Sequence, residues 1–453
     1  MTTTSETPRH QITIAFLLVL VLAAAMRITA AMNTVVDTPI RSDAQGYVAY
    51  TYNLKNSGIY SRQVTWISDY KPERVVPDAL QQPGYPAFLR LFLGDTPDAA
   101  FVRSVMFAQA CIGVVTVALA FVLTRLVLGS LAALFVMLLV AISPHLIVME
   151  NYVLSETLFT LLVVVAIGAG TIAMRYRDSA KGMASAAATG GALGLCCLVR
   201  PPLTQLALLV TVATILIPPL RSYRRQALVG MICFMLVMAP WWIRNLYEFG
   251  HMADSSSMIN TLLHGSYPDF LYNGDPKTLG YPYRFDPRMG EIGQSVGTAL
   301  AEIQRKFANE PMTYLEWYLL GKFKFFFNWQ IVDGFYDVFT YPVLKSPYFG
   351  NTVFVFTHAL MRGLHWPLMI AGLLGGVLAW TKRAEIVVAG WKLHALRWQS
   401  LVLANILFAN MVGAPYPRYS IPFRPLLYLL ALFSILVCAA WVRDHREHAR
   451  RGA

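Results

Sequence analysis

The stretch ITIAFLLVLVLAAAMRITAA, Ile12 to Ala31, carries one charge, Arg27. About 20 residues of such chain is what a helix needs to cross a bilayer. The same signature recurs at Phe101 to Leu123, Leu131 to Val148, Val153 to Met174, Met183 to Val199 and Leu203 to Pro219. It returns at Gln226 to Ile243, Thr352 to Trp380, Ser400 to Gly413 and Pro422 to Val442, for about ten spans in all. The 453-residue chain is 56% hydrophobic and 14% charged, against about a quarter charged in soluble proteins. The expected fold class is therefore an all-α polytopic membrane protein, with residues 1–453 forming a single transmembrane domain. Ile12 to Ala31 reads as an uncleaved first helix rather than a signal peptide, because Arg9 and His10 are its only basic flank.

The net charge of +12 is not a nucleic-acid signal, because the basic residues sit between the apolar runs. Arg125; Arg175, Arg177 and Lys181; Arg221, Arg224 and Arg225; Lys382 and Arg383; and Arg443 and Arg446 all fall on one side. By the positive-inside rule that side is cytoplasmic. The other side receives a first loop, 32–100, the turn from Glu150 to Glu156, the Arg200-Pro201-Pro202 turn, a second large loop, 245–351, and Ala414 to Ile421. Ala44 to Leu54 and Met312 to Gln330 suit juxtamembrane helices facing outward. In the latter, Trp317, Tyr318, Phe323, Phe325, Phe326, Phe327 and Trp329 would form an aromatic interfacial belt, with Lys322 and Lys324 reaching to water or headgroups. Ser255 to Arg288 reads as ordered irregular loop. The five cysteines fall inside apolar spans, where they act as small hydrophobes. The histidines lack metal-ligand spacing, and only His264, in the polar loop, merits a test.

The chemistry-bearing residues lie on the outward side. Arg41-Ser42-Asp43-Ala44-Gln45-Gly46-Tyr47 places a lone acid just past the first span; its plain alternative is a solvated acid or a helix N-cap. Glu156 opens an outward-facing helix end, where the helix dipole alone would also welcome it. Arg244 and Arg418 stand where spans meet the outer surface, and a guanidinium matches phosphate oxygens bidentately; simple snorkelling is the alternative. Arg200 precedes two prolines. Arg27 lies within a span, where a charge costs about 2.5–3.5 kcal/mol and so implies a partner, for which Asp43 and Glu156 are the candidates.

A first span carrying Arg27, then Asp43, Tyr47, Gly58-Ile59-Tyr60 and Pro83-Gly84-Tyr85-Pro86, resembles the GT-C membrane glycosyltransferases. Within them it looks like glycosyltransferase family 39, the protein O-mannosyltransferases, and the lipid A aminoarabinose transferases. Leu154-Ser155-Glu156-Thr157-Leu158-Phe159, Pro240-Trp241-Trp242-Ile243-Arg244-Asn245 and Pro417-Arg418-Tyr419-Ser420-Ile421-Pro422 extend the likeness along most of the chain. The sequence departs from the family in having Ala44 after Asp43, where a second acid is common, and Gln81-Gln82 before Pro83.

The resemblance implies a GT-C fold and transfer of a sugar from a polyprenyl-phosphate donor at the outer face of a bacterial-type inner membrane. The acceptor class, a glycan, lipid or protein, stays open. Asp43 would be the base, with Glu156 beside it. Arg244, Arg418, Tyr419, Arg200 and Arg27 would hold the donor phosphate and lipid, and Tyr47, Gln82, Tyr85 and His264 the sugar or acceptor. The phosphate leaves as a stable anion, so no raised-pKa acid is required, and a single displacement inverts the anomeric centre. No obligatory cofactor is expected; a divalent metal is left open but not indicated, since Asp43 has no acidic neighbour. The rival reading is a transporter or flippase of a polyprenyl-linked glycan, which would line both halves of a pathway with charge.

Overall fold

The computed structural model describes residues 9–67, 74–332 and 337–452. Its helices are α1 (Arg9–Asn33), α2 (Ser42–Asn56), α3 (Gly84–Leu89), α4 (Ala99–Leu128), α5 (Ser130–Ala141), α6 (Pro144–Met149), α7 (Glu156–Arg175), α8 (Ala180–Val199) and α9 (Thr204–Leu216). They continue with α10 (Arg224–Phe249), α11 (Ser255–His264), α12 (Met289–Ile292), α13 (Val296–Asn309), α14 (Pro311–Glu316), α15 (Lys322–Phe326), α16 (Thr352–Leu378), α17 (Trp391–Val412) and α18 (Arg424–Gly452). The all-α expectation holds. Among the described residues, six helical segments are long and apolar enough to cross a membrane: His10–Asn33, Ala99–Leu128, Glu156–Arg175, Ala180–Val199, Leu220–Phe249 and Pro417–His448.

The expected count of about ten spans is not confirmed. The run Leu131 to Val148 is broken between α5 and α6, where Pro144 has no N–H to continue the ladder. The 13 residues of α9 reach about 20 Å, short of a hydrocarbon core of about 30 Å. His358, Arg362 and His365 lower the apolarity of α16, as Lys392, His394 and Arg397 do for α17.

Small residues set the helix crossings. A Cβ on Gly190 would fall 1.8 Å from the Gly230 carbonyl oxygen, where α8 meets α10, and one on Gly375 would fall 2.0 Å from that of Leu430, where α16 meets α18. Close backbone approach of this kind is how helices pack in lipid, where apolar burial gives no drive. The break after α5 is used in the same economical way. Arg27, 1% exposed, donates from Nη1 to the Ala141 carbonyl at 2.9 Å and from Nη2 to that of Val140 at 3.2 Å, and from Nε to Glu150 Oε1 at 3.0 Å. Helix-end carbonyls that lack intrahelical donors thus gain a cationic one. The partner of Arg27 is Glu150, not Asp43 or Glu156 as the sequence suggested.

At the end of the bundle that carries Asp43, the two-residue strand β1 (Val35–Val36) pairs antiparallel with β2 (Val343–Lys345), placing Val36 opposite Val343. Asp37 N–H donates to the Pro342 carbonyl at 2.9 Å and Tyr341 Oη to that of Arg41 at 3.3 Å. The segments 32–100 and 245–351 are therefore tied together just before α2 begins. Three expectations for this layer need correction. Ser255 to Arg288 is not wholly irregular, because Asp254 caps Ser256 N–H and starts α11. Lys322 does not reach water: it is fully buried, and Nζ donates to the carbonyls of Met411 at 2.9 Å and Gly413 at 2.8 Å over the Tyr318 ring. The end of α17 needs those donors, and burial pushes the Lys322 ammonium down to about 6. Of the expected belt, Trp317, Phe326, Phe327 and Trp329 are likewise buried, whereas Tyr318, Phe323 and Phe325 are partly exposed and Lys324 is exposed.

Candidate functional site

Asp43 stands in the first turn of α2, aimed by Ser42, whose φ of 48° lies in the left-handed region. A non-glycine residue held there stores strain, and such residues concentrate where a side chain must be directed. Asp43 Oδ2 is ion-paired with Arg418 Nη2; the acid's side chain is 42% exposed and the arginine's 7%. Arg418 sits in the 3-10 stretch Pro417–Phe423 that leads into α18. Its Nε lies 3.7 Å from Oε1 of Glu156, in the first turn of α7. The same Glu156 oxygen is paired with Arg200 Nη1. Arg200 is extended, φ −150° and ψ 130°, as a residue before proline must be, and this carries it out of α8 toward α7. The result is an alternating row, Asp43, Arg418, Glu156, Arg200, drawn from four distant parts of the chain.

Aromatic and polar groups close around the row. The Tyr419 ring lies 4.4 Å from the Arg200 guanidinium and 5.4 Å from that of Arg418. Tyr47 Oη is 3.2 Å from Ser155 Oγ, and its ring meets Tyr85 edge-on at 4.9 Å. Tyr85 Oη donates to Gln109 Oε1 at 3.0 Å, and Gln109 Nε2 donates to the carbonyls of Glu150 and Tyr152. Burial raises Tyr47 above its ordinary value, so it is a neutral hydroxyl. Burial works against the charge of Arg200, but Glu156 beside it more than offsets this and the guanidinium is held above its ordinary value. Glu156 Oε2 is buried with no hydrogen-bond partner among the described residues.

The structure thus gathers Asp43, Tyr47, Tyr85, Glu156, Arg200, Arg418 and Tyr419, and seats the remaining candidates elsewhere. Arg244 donates to the Asp78 carbonyl and Asn245 Oδ1, each at 2.9 Å, and faces the rings of Tyr60, Trp241 and Phe249. It lines a separate cavity of ≈ 950 Å³ together with Tyr60, Arg74, Pro83, Leu198 and Glu248. The Gly58-Ile59-Tyr60 and Pro240-Trp241 motifs also belong to that cavity. Gln82 is partly buried, with Oε1 unpartnered among the described residues. His264 is held by the Gly280 carbonyl and Tyr416 Oη, each at 2.8 Å, and burial lowers its pKa to about 4. Arg27 is enclosed between α1 and the α5–α6 break, its guanidinium committed to Glu150 and carbonyls; it is a structural pin, not a group presented to a phosphate.

Gln109 and Asp78 were not singled out in the sequence. Gln109 left a signal there, a polar residue inside the apolar run Phe101 to Leu123. Asp78 left none, being one acid in a polar loop; it accepts from Tyr50 Oη and from Arg62 N–H. Among the described residues, no group of three or more His, Cys, Asp or Glu stands together to hold a metal ion.

Residues 93–254 match the family of dolichyl-phosphate-mannose-protein mannosyltransferases. The range holds Glu156, Arg200 and Arg244 but neither Asp43 nor Arg418. Comparison with curated proteins finds no match. Among solved structures, the chain resembles the Archaeoglobus fulgidus oligosaccharyltransferase AglB in complex with an inhibitory peptide and a dolichol-phosphate, at 15% identity and TM-score 0.53, covering 99% of this chain and 52% of that one. The apo form of that enzyme matches at 14% identity and TM-score 0.51, with 96% and 52% covered. ArnT from Cupriavidus metallidurans bound to undecaprenyl phosphate gives 14% identity and TM-score 0.42, with 94% and 78% covered. The chain spans about half the length of the oligosaccharyltransferase structures it matches. Its fold is the GT-C fold of membrane glycosyltransferases, as the sequence resemblance implied.

Proposed function

We propose that the chain is a membrane glycosyltransferase that moves a sugar from a polyprenyl-phosphate donor to an acceptor hydroxyl at the outer face of a bacterial-type inner membrane. The observation that carries the reading is the ion pair of Asp43 and Arg418 at the head of the row that ends in Glu156 and Arg200. A half-exposed carboxylate beside buried guanidiniums joins a proton acceptor to an anion site. The incoming phosphate competes with Asp43 for the Arg418 fork, which frees the carboxylate to face the acceptor. The acceptor oxygen then attacks the anomeric carbon as its proton passes to Asp43. The bond from that carbon to the phosphate oxygen breaks, its electron pair leaves with the polyprenyl phosphate, and the centre inverts.

Arg418 and Arg200 neutralise the growing charge, and Tyr419 holds both guanidiniums in place. Glu156 offsets the charge of the two arginines, and its unpartnered Oε2 accepts from a sugar or acceptor hydroxyl. Tyr47 and Tyr85 form the neutral wall beside it. Arg244, in the adjoining aromatic cavity, is assigned to the lipid-borne part of the donor, whose prenyl units suit Tyr60 and Trp241. No metal is given a role.

The test is Asp43→Asn, with membranes supplied with labelled polyprenyl-phosphate sugars and release of polyprenyl phosphate as the readout. Turnover is expected to fall about 10²–10⁴-fold while donor binding persists. Full turnover in the variant refutes the assignment of the base.

A further inference from the structure

At the end of the bundle opposite the Asp43 row, α7, α8, α9, α10 and α17 enclose a cavity of ≈ 190 Å³ walled by small and apolar residues such as Ala173, Gly190, Leu193 and Ala213. An apolar cavity between helices excludes water. It adjoins a second cavity of ≈ 550 Å³, with which it shares Met174, Tyr223 and His394 and which is lined by Arg175, Arg177 and Trp391. A third, of ≈ 450 Å³, adds Arg125 and Lys392 and shares Arg175 and Trp391 with the second. Arg175 is held over the rings of Tyr176 and Trp391, at 5.2 and 5.3 Å. Asp178, the acid at this mouth, is already taken up by Arg177 at 2.9 Å. Arg125, Arg175 and Lys392 therefore leave the mouth positive.

Trp398 belongs to the same wall. It is 5% exposed, lines the apolar cavity, and its Nε1 has no hydrogen-bond partner among the described residues. That nitrogen lies against Gly170, another residue of the wall, which has no side chain to push it away. A buried indole N–H left unmade costs free energy, and here the nitrogen is covered by Gly170 instead of facing the cavity.

We infer that this end of the protein binds an anionic phospholipid, with an acyl chain in the apolar cavity and the phosphate at Arg175 and Lys392. A free phosphate satisfies the mouth but not the apolar cavity behind it, and a neutral lipid the reverse. The site is independent of glycosyl transfer, since it shares no residue with the Asp43 row.

The experiment is native mass spectrometry of the purified full chain, exchanged into detergent with equal amounts of a phosphatidylglycerol and a diacylglycerol bearing the same acyl chains. Wild type is expected to retain one phosphatidylglycerol in preference to diacylglycerol. Each cation near a headgroup contributes about fivefold, so the combined Arg175→Ala and Lys392→Ala variant should lose about 25-fold of that preference. Ala213→Trp, which fills the cavity, should retain neither lipid. Thr214→Leu, a smaller change in the same wall, should weaken retention while leaving thermal stability and monodispersity intact. Equal retention of the two lipids by wild type, or undiminished retention in both cavity variants, overturns the site. Inorganic phosphate displacing the bound lipid at millimolar concentration would also count against it.

Discussion

Glu156→Gln removes the charge on which both Arg200 and Arg418 lean while keeping the shape of the side chain. The acid's side chain is 2% exposed, and those of Arg200 and Arg418 are 15% and 7% exposed. Breaking a buried pair from one side costs about 3–5 kcal/mol, because the partner's charge stays buried without compensation. Arg418 keeps Asp43, so the loss falls on Arg200, which touches some water. That places the cost near the lower end, at about 3 kcal/mol. Arg200→Gln alone should cost a similar amount, and the double variant much less than the sum, with a coupling of about 2 kcal/mol. Reversible unfolding in sodium dodecyl sulfate, followed by tryptophan fluorescence, measures all four proteins. Additive effects in the cycle, or a Glu156→Gln protein as stable as wild type, would show that the row is not an electrostatic unit.

Arg418→Lys keeps the charge but loses the planar fork; each lost charged hydrogen bond is worth about 1.5–3 kcal/mol, and titration with a polyprenyl-phosphate analogue should show weaker binding. Unchanged affinity would reduce Arg418 to a field effect. Arg27→Met should destabilise the fold by about 3–5 kcal/mol through the abandoned Glu150, whereas Arg27→Met with Glu150→Met recovers most of the loss; the same unfolding assay decides, and donor affinity stays constant in the double variant. Burial pushes the Lys306 ammonium down to about 8 from its ordinary 10.5. Between those values the unfolded segment keeps a proton that the folded one has released, so stability around α13 rises as pH increases through that window. Hydrogen exchange of the α13 amides, corrected for intrinsic rate, should show the rise in wild type and lose it in Lys306→Met.

The apolar runs foretold the membrane helices well where a run stood alone. Ala99–Leu128 and Ala180–Val199 overlie their expected spans almost end to end, because length and hydropathy are local properties. The misread elements depend on partners. Leu131 to Val148 looks continuous until Pro144 is weighed as a break, and the consequence of that break, carbonyls waiting for Arg27, is visible only once α1 lies against it. The Asp43 row was legible as a set of separate residues at the ends of apolar runs, since an acid or arginine beside a span stands out against its surroundings. Which of them meet was not: Arg244 looks like the equal of Arg418 in sequence, and only packing sends it to Tyr60 and Trp241. Lys322 was read as a water-seeking side chain because nothing local announces the bare carbonyls at the end of α17.

The buried pair of Arg27 and Glu150 also bears on the order of events at birth. The residues are separated by 123 positions, so α1 emerges from the ribosome and enters the membrane long before its counter-charge exists. A lone arginine in a span costs about 2.5–3.5 kcal/mol on insertion scales. The first helix therefore carries that cost until the segment containing Glu150 is made, and the pair removes it once both are in place. Chains truncated before residue 150 should leave α1 prone to slip back from the bilayer, while chains extending past it should not.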